Sequence, residues 1–134
     1  MDIEKLKDFF KNDLFAADSG IKIVEAGEGY CKTELEITPR HLNAAGVVQG
    51  GALFTLADLA FAVASNSRGQ LALGVNTNMT FLKSRSKGKV YATATEAAKP
   101  GRLGAYDVRI TDEQDDTIAV FSGMVYRKDV ELNF

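Results

Sequence analysis

The chain has 134 residues, a single cysteine, a single histidine and a formal net charge of −2. A length of this order forms one domain with a core that needs neither disulfides nor metal, and one cysteine with one histidine excludes a Cys/His zinc site. The near-neutral charge gives no general attraction to nucleic acid or anionic membrane, and a charged start (Met1-Asp2-Ile3-Glu4-Lys5) with no apolar run of about 18 residues points to a cytoplasmic protein.

Residues 2–12 carry Ile3, Leu6, Phe9 and Phe10 at helical spacing, which predicts a short amphipathic helix within an N-terminal extension, residues 1–18. Residues 21–28 and 30–38 alternate apolar and polar side chains around Gly27-Glu28-Gly29, the pattern of a hairpin. An irregular segment, residues 40–49, leads into a long apolar helix that opens on Gly50-Gly51 and stops near Ser67-Arg68-Gly69. Four strands follow, over 71–83, 89–98, 103–112 and 117–126, separated by turns at Gly88, Pro100-Gly101 and the acidic run 112–116. Hairpin-length connections predict an antiparallel sheet, and a lone apolar helix requires that sheet to curl around it. The fold class is α+β in one domain, residues 1–134.

The helix carries Leu, Phe, Ala and Val on every side, which predicts burial all round, yet Asp58 sits in its middle. A buried carboxylate costs several kcal/mol unless it is paired, hydrogen-bonded or hydrated, so Asp58 is the first candidate for chemistry. The helix N-terminus is the second candidate. Its free N–H groups carry the positive end of the helix dipole, and glycine at 50 and 51 lets a substrate oxygen approach the backbone. Eight residues of helix separate Gly50 from Asp58 by about 12 Å, too far for both to act on one bond from the same chain. Two such helices packed side by side and antiparallel would solve this, so a homodimer is expected, through the uncovered helix face or a paired edge strand.

The spaced run His41-x-Asn43-x-x-Gly46-x-x-Gln49-Gly50-Gly51-x-x-x-x-Leu56-x-Asp58 resembles the motif of hotdog-fold acyl-CoA thioesterases, in the phenylacetic-acid-degradation branch. Asn78-Met79-Thr80-Phe81-Leu82, Gly101-Arg102 with Asp112-Glu113, and Ala119-Val120-Phe121-Ser122-Gly123 are similar to that family's later strands, so the likeness covers about residues 20–127. The resemblance implies the hotdog fold and hydrolysis of an acyl-CoA, of phenylacetyl or hydroxyphenylacetyl type, to a free acid and coenzyme A. It implies Asp58 as general base or nucleophile, Gly50 N–H as oxyanion donor across the dimer interface, and Asn43 as a group that positions thioester or water. It also implies a homotetramer and a reaction without metal or redox cofactor.

The family usually has His-Gly-Gly where this chain has Gln49-Gly50-Gly51, and Gln donates a hydrogen bond without exchanging protons near neutral pH. His41, Gly51, Phe54 and Asn78 are candidates for contact with substrate, with Leu53 and Phe61 beside Phe54 around the acyl group. Lys83, Arg85 and Lys87, with Lys99 and Arg102 across the next turn, are candidates for the coenzyme A phosphates. Each has a plainer reading: His41 and Asn43 as residues that order the loop, Asn78 as a core-ordering residue, the cations as a solvated edge, Cys31 as inert packing. Two other functions remain open, a hydroxyacyl-thioester dehydratase using His41 with Asp58 and a non-catalytic acyl-CoA-binding module.

Overall fold

The computed structural model describes residues 2–98 and 101–134, so the expected turn at Pro100 and the candidate Lys99 lie outside the described residues. Helix α1 spans Ile3–Phe10 and is capped by Asp2, whose carboxylate accepts the Glu4 and Lys5 N–H groups. A second short helix, α2 over Leu14–Asp18, was not expected from the sequence; Asp13 starts it by accepting the Ala16 N–H at 3.1 Å. Strands β1 (Lys22–Gly27) and β2 (Tyr30–Glu36) form the expected hairpin, and Gly29 takes the positive φ its turn requires. A 3₁₀ turn over Pro39–His41 then leads to the long helix α3, Gly50–Asn66. Strands β3 (Gln70–Phe81), β4 (Lys89–Glu96), β5 (Leu103–Thr111) and β6 (Thr117–Glu131) complete the sheet, the last running five residues further than its alternation suggested.

All neighbouring strands are antiparallel, in the order β1-β2-β4-β5-β6-β3. Consecutive strands are therefore not always partners. After α3 the chain enters at the far edge as β3, pairs with β6, and crosses back through residues 82–88 to place β4 beside β2. The reason is the helix: it fills the concave face and contacts β2, β4, β5 and β3, so the strand that follows it emerges on the other side. Leu56, Ala57, Ala60, Phe61, Val63 and Ala64 of α3 are buried against Leu35, Val90, Ala92, Val108, Ile110 and Phe121 of the sheet. The buried Thr33 hydroxyl donates to the Leu56 carbonyl at 2.9 Å and fixes the helix to β2. Cys31 is fully buried and its thiol is pushed up to about 12 by that burial, which makes it packing, not a nucleophile.

Two features of β3 matter for the site. It is a twelve-residue edge strand with nothing among the described residues paired on its outer side, and it exposes Val75 at 59% and Phe81 at 53%. Such an edge is an unfilled pairing surface. Among the described residues no helix is long and apolar enough to cross a membrane.

Candidate active site

The single chain does not bury α3 on every side, which corrects the expectation drawn from its composition. Gly51 and Asp58 are exposed and Thr55 and Ala62 half-buried. Their spacing of four, three and four residues puts them on one stripe of the helix. This stripe, not a buried pocket, displays Asp58. Among the described residues its carboxylate has no hydrogen-bond or ion-pair partner; the Thr55 hydroxyl, one turn before it, donates back to the Gly51 carbonyl at 2.7 Å. Desolvation by the surrounding protein holds the Asp58 carboxyl above its ordinary range, and the Asp13 carboxylate adds to the rise. An unpartnered carboxylate with a raised pKa is a better base, once ionised, than an ordinary aspartate.

The N-terminus of α3 is held by its backbone. Val48 N–H donates to the Arg85 carbonyl and Gln49 N–H to the His41 carbonyl, both at 2.7 Å. Asn43 closes the preceding loop: its Oδ1 accepts the Ala45 and Val47 N–H groups and its own N–H donates to the Val47 carbonyl. Gly46 takes the positive φ of that loop. The first helical acceptor, the Gln49 carbonyl, takes the Ala52 and Leu53 N–H groups, so the N–H groups of Gly50 and Gly51 have no acceptor among the described residues. Space around both glycines is tight as well. A Cβ on Gly50 would stand 3.0 Å from the Phe81 ring, and one on Gly51 would collide with the Gln49 carboxamide, which folds across it. Two unclaimed N–H groups at the positive end of a 17-residue helix can bind and stabilise an oxyanion.

A groove of about 470 Å³ beside this end brings Phe15, Arg40, His41, Gln49, Gly51 and Phe54 together. Phe54 is therefore placed where a substrate could touch it. Leu53 and Phe61 are not: both are closed into the core, and Phe61 packs against Tyr106 and Phe121. The His41 ring lines the groove but is engaged on both sides. Thr38 N–H donates to Nδ1 at 2.9 Å, so the ring proton resides on Nε2, which donates to the Ser19 carbonyl at 2.7 Å. In this arrangement His41 ties the 3₁₀ turn to α2 and has no nitrogen left for proton transfer, which disfavours the dehydratase pair.

The remaining candidates lie elsewhere. Asn78 pairs with Ser122 and faces the convex side of the sheet with Thr93, Thr95 and Asp107, because its neighbour Met79 takes the inward position opposite Phe121. Lys83 is bound to Asp116 at 2.9 Å, and Arg85 bridges Asp112 and Asp116. Arg102 donates to Asp129 and to the Arg127 carbonyl, at the end of the sheet next to the C-terminus of α3. These three cations are occupied by carboxylates of the same chain. Sequence reasoning passed over Phe15 and Arg40, which do line the groove. The Asn12-Asp13 cap before Leu14-Phe15 was the available signal for α2; Arg40 had none, standing alone after Pro39.

The Thioesterase superfamily profile matches residues 45–119, the segment from the loop before α3 to the start of β6. An Archaeoglobus fulgidus protein, named only provisionally as an esterase, is 40% identical over 93% of this chain and 82% of its own length. The acyl-coenzyme A thioesterase PaaI of Escherichia coli is 34% identical over 88% of this chain and 85% of its own. The solved structure of the E. coli PaaI protein from the phenylacetic acid degradation operon superposes with a TM-score of 0.89 at 33% identity, covering 94% of this chain and 92% of that one. Fold, motif and relatives agree: the chain belongs to the Thioesterase superfamily, with the hotdog fold, and is a thioester hydrolase.

Proposed function

We propose that the protein hydrolyses an acyl-CoA thioester to a free acid and coenzyme A, at a site shared between two copies of the chain. The observation that carries this reading is the pair of unclaimed Gly50 and Gly51 N–H groups on the same helix as the unpartnered Asp58. The helix is unbroken between them, so the separation within one chain stays about 12 Å. The open stripe of α3 and the bare edge of β3 supply the surface on which a second copy fits, with each Gly50 brought near the partner's Asp58 by a twofold axis. In this dimer Gly50 N–H polarises the thioester carbonyl, and Asp58 activates water or attacks the carbonyl itself. The charge on the tetrahedral oxygen is met by the helix end, and the thiol of coenzyme A leaves.

Gln49 orients the carbonyl with its carboxamide in place of the histidine common in the family, and Asn43 contributes its Nδ2, since its oxygen serves the loop. The likeness to PaaI favours phenylacetyl or hydroxyphenylacetyl groups, and Phe54 with Phe15 offers aromatic walls for them. Pairs of dimers forming a tetramer complete the assembly. No metal or redox cofactor enters the chemistry.

Mixing tests the shared site. Asp58→Asn and Gly50→Pro are each inactive alone, but a heterodimer of the two has one intact site and one doubly broken site. Random reassortment after mild denaturation and refolding would restore about a quarter of wild-type thiol release. Recovery of nothing, or an active monomer, would overturn the shared site. Binding of acyl-CoA without thiol release by wild type would favour the non-catalytic module.

A further inference from the structure

We propose that Arg40 holds the phosphate groups of coenzyme A at the mouth of the groove beside the α3 N-terminus, an inference that rests on the thioesterase reading of that site. Arg68 is bound to Glu96 and Glu28, Arg85 to Asp112 and Asp116, Arg102 to Asp129, and Arg109 to Asp115. Arg127 is buried and donates to Tyr106 and the Gly101 carbonyl. Arg40 completes the set of arginines, and among the described residues its guanidinium has no carboxylate, carbonyl or aromatic partner. It is exposed, and it is the cation that lines the groove containing Gln49 and Gly51. No carboxylate among the described residues lines that groove with it.

Its backbone is fixed although its side chain is not. The preceding Pro39 restricts the turn, His41 N–H closes it on the Thr38 carbonyl, and the His41 carbonyl accepts Gln49 N–H. The Cα of Arg40 is therefore held in a constant relation to the first residues of α3, while the guanidinium reaches into solvent. Every CoA ester brings a diphosphate and a 3′-phosphate attached to the thiol by a long, uncharged arm. A thioester held at Gly50 must direct that arm outward, and a planar, permanently charged fork at the groove mouth matches phosphate oxygens in pairs. Lys83, Arg85 and Arg102 are each already neutralised by an aspartate, so they are poorer anion anchors than this single unpaired guanidinium.

Three thioesters of one acyl group separate the possibilities: the coenzyme A, 3′-dephospho-coenzyme A and pantetheine esters. Arg40→Gln is expected to raise KM for the coenzyme A ester roughly tenfold while moving kcat by no more than about twofold. Arg40→Lys recovers part of the loss, and added salt narrows the gap between wild type and Arg40→Gln. The penalty is absent for the pantetheine ester. Lys32→Gln, which removes a cation stacked on Tyr91 in the sheet, controls for net charge and leaves KM unchanged.

An equal loss on the pantetheine ester would overturn the proposal in favour of a structural role. An unchanged KM for the coenzyme A ester would overturn it in favour of a solvated side chain, and so would a penalty that follows a carboxylate on the acyl group. Calorimetric titration with free coenzyme A keeps the question separate from catalysis. Weaker binding by Arg40→Gln supports the phosphate anchor even if wild type releases no thiol; equal affinities, or no binding by wild type, sink it.

Discussion

The two ends of α3 are finished in opposite ways. At the C-terminal end the capping groups are answered: Asn66 Nδ2 donates to the Ala62 and Ala72 carbonyls, Ser67 Oγ donates to the Ala64 carbonyl and accepts Gly29 N–H. Beyond it Arg68 grips Glu96 at 2.9 Å, Tyr106 donates to the same carboxylate, and buried Arg127 donates to the Tyr106 oxygen at 2.7 Å. At the N-terminal end the Gly50 and Gly51 N–H groups have no acceptor among the described residues, and Asp58 further along has no partner among them. Buried and half-buried polar groups in a folded protein are normally satisfied. A structure that ties one end down with a side-chain network, only the buried Arg127 Nε in it lacking a partner among the described residues, and leaves the other end open places its stability at the first and its chemistry at the second.

Substitutions at the open end are expected to remove activity without loosening the fold. Asp58→Asn should lower kcat by about 10²–10⁴-fold, the range of a lost general base, with an unchanged far-ultraviolet spectrum. Gly50→Pro removes the N–H at the first helical residue, where proline is tolerated, and should cost about 10²–10³-fold in kcat. Gly50→Ala is its control. It keeps the N–H and adds only the methyl that presses on Phe81, so the difference between the two variants measures the oxyanion contact. Equal losses in both would mean that Gly50 serves packing alone.

Substitution at the closed end should do the reverse. Tyr106→Phe deletes a buried hydroxyl that serves both Glu96 and Arg127, and should cost about 1–3 kcal/mol in urea unfolding. Its kcat per folded enzyme should stay at the wild-type level.

The finest test uses the sign of pH dependence. Arg68 donates to Glu96 and, despite the opposing effect of burial, holds its carboxyl below the ordinary range, with Tyr106 assisting. The stability it contributes is fully present above pH 4.5 and is lost as pH falls through its depressed value. Asp58 is the opposite case: its raised pKa favours the protonated folded form, so its contribution is complete below pH 3.8 and lost as pH rises through the raised value. Glu96→Gln should therefore lower Tm at neutral pH and Asp58→Asn should raise it, and both differences should shrink in acid. Two shifts of the same sign at neutral pH would refute the contrast.

Much of this was legible in the chain. Period-two alternation in the first two strands and turn signals around the other four placed all six to within a few residues, except at the end of β6, and the apolar run with Gly50-Gly51 marked α3. The motif from His41 to Asp58 marked the site because it sits on one helix and the loop before it, where residues near in sequence are near in space. The strand order was not legible, since hairpin-length connections do not reveal that the strand after a crossover helix emerges at the opposite edge. Long-range ion pairs were hidden for the same reason. Nothing local says that Arg85 meets Asp112 and Asp116, or that Arg102 meets Asp129, and so cations that looked available proved to be occupied.

By itself the sequence determined the elements, the placement of a carboxylate on an apolar helix and two glycines at that helix's start, because side-chain periodicity and backbone freedom are local properties. Only the tertiary structure decided which face of α3 stays open, which way Asn78 points, that both nitrogens of His41 are engaged and that Arg40 has no partner among the described residues. Those depend on contacts between residues far apart in the chain, and chain folding, not chain order, sets which charges and donors are already satisfied.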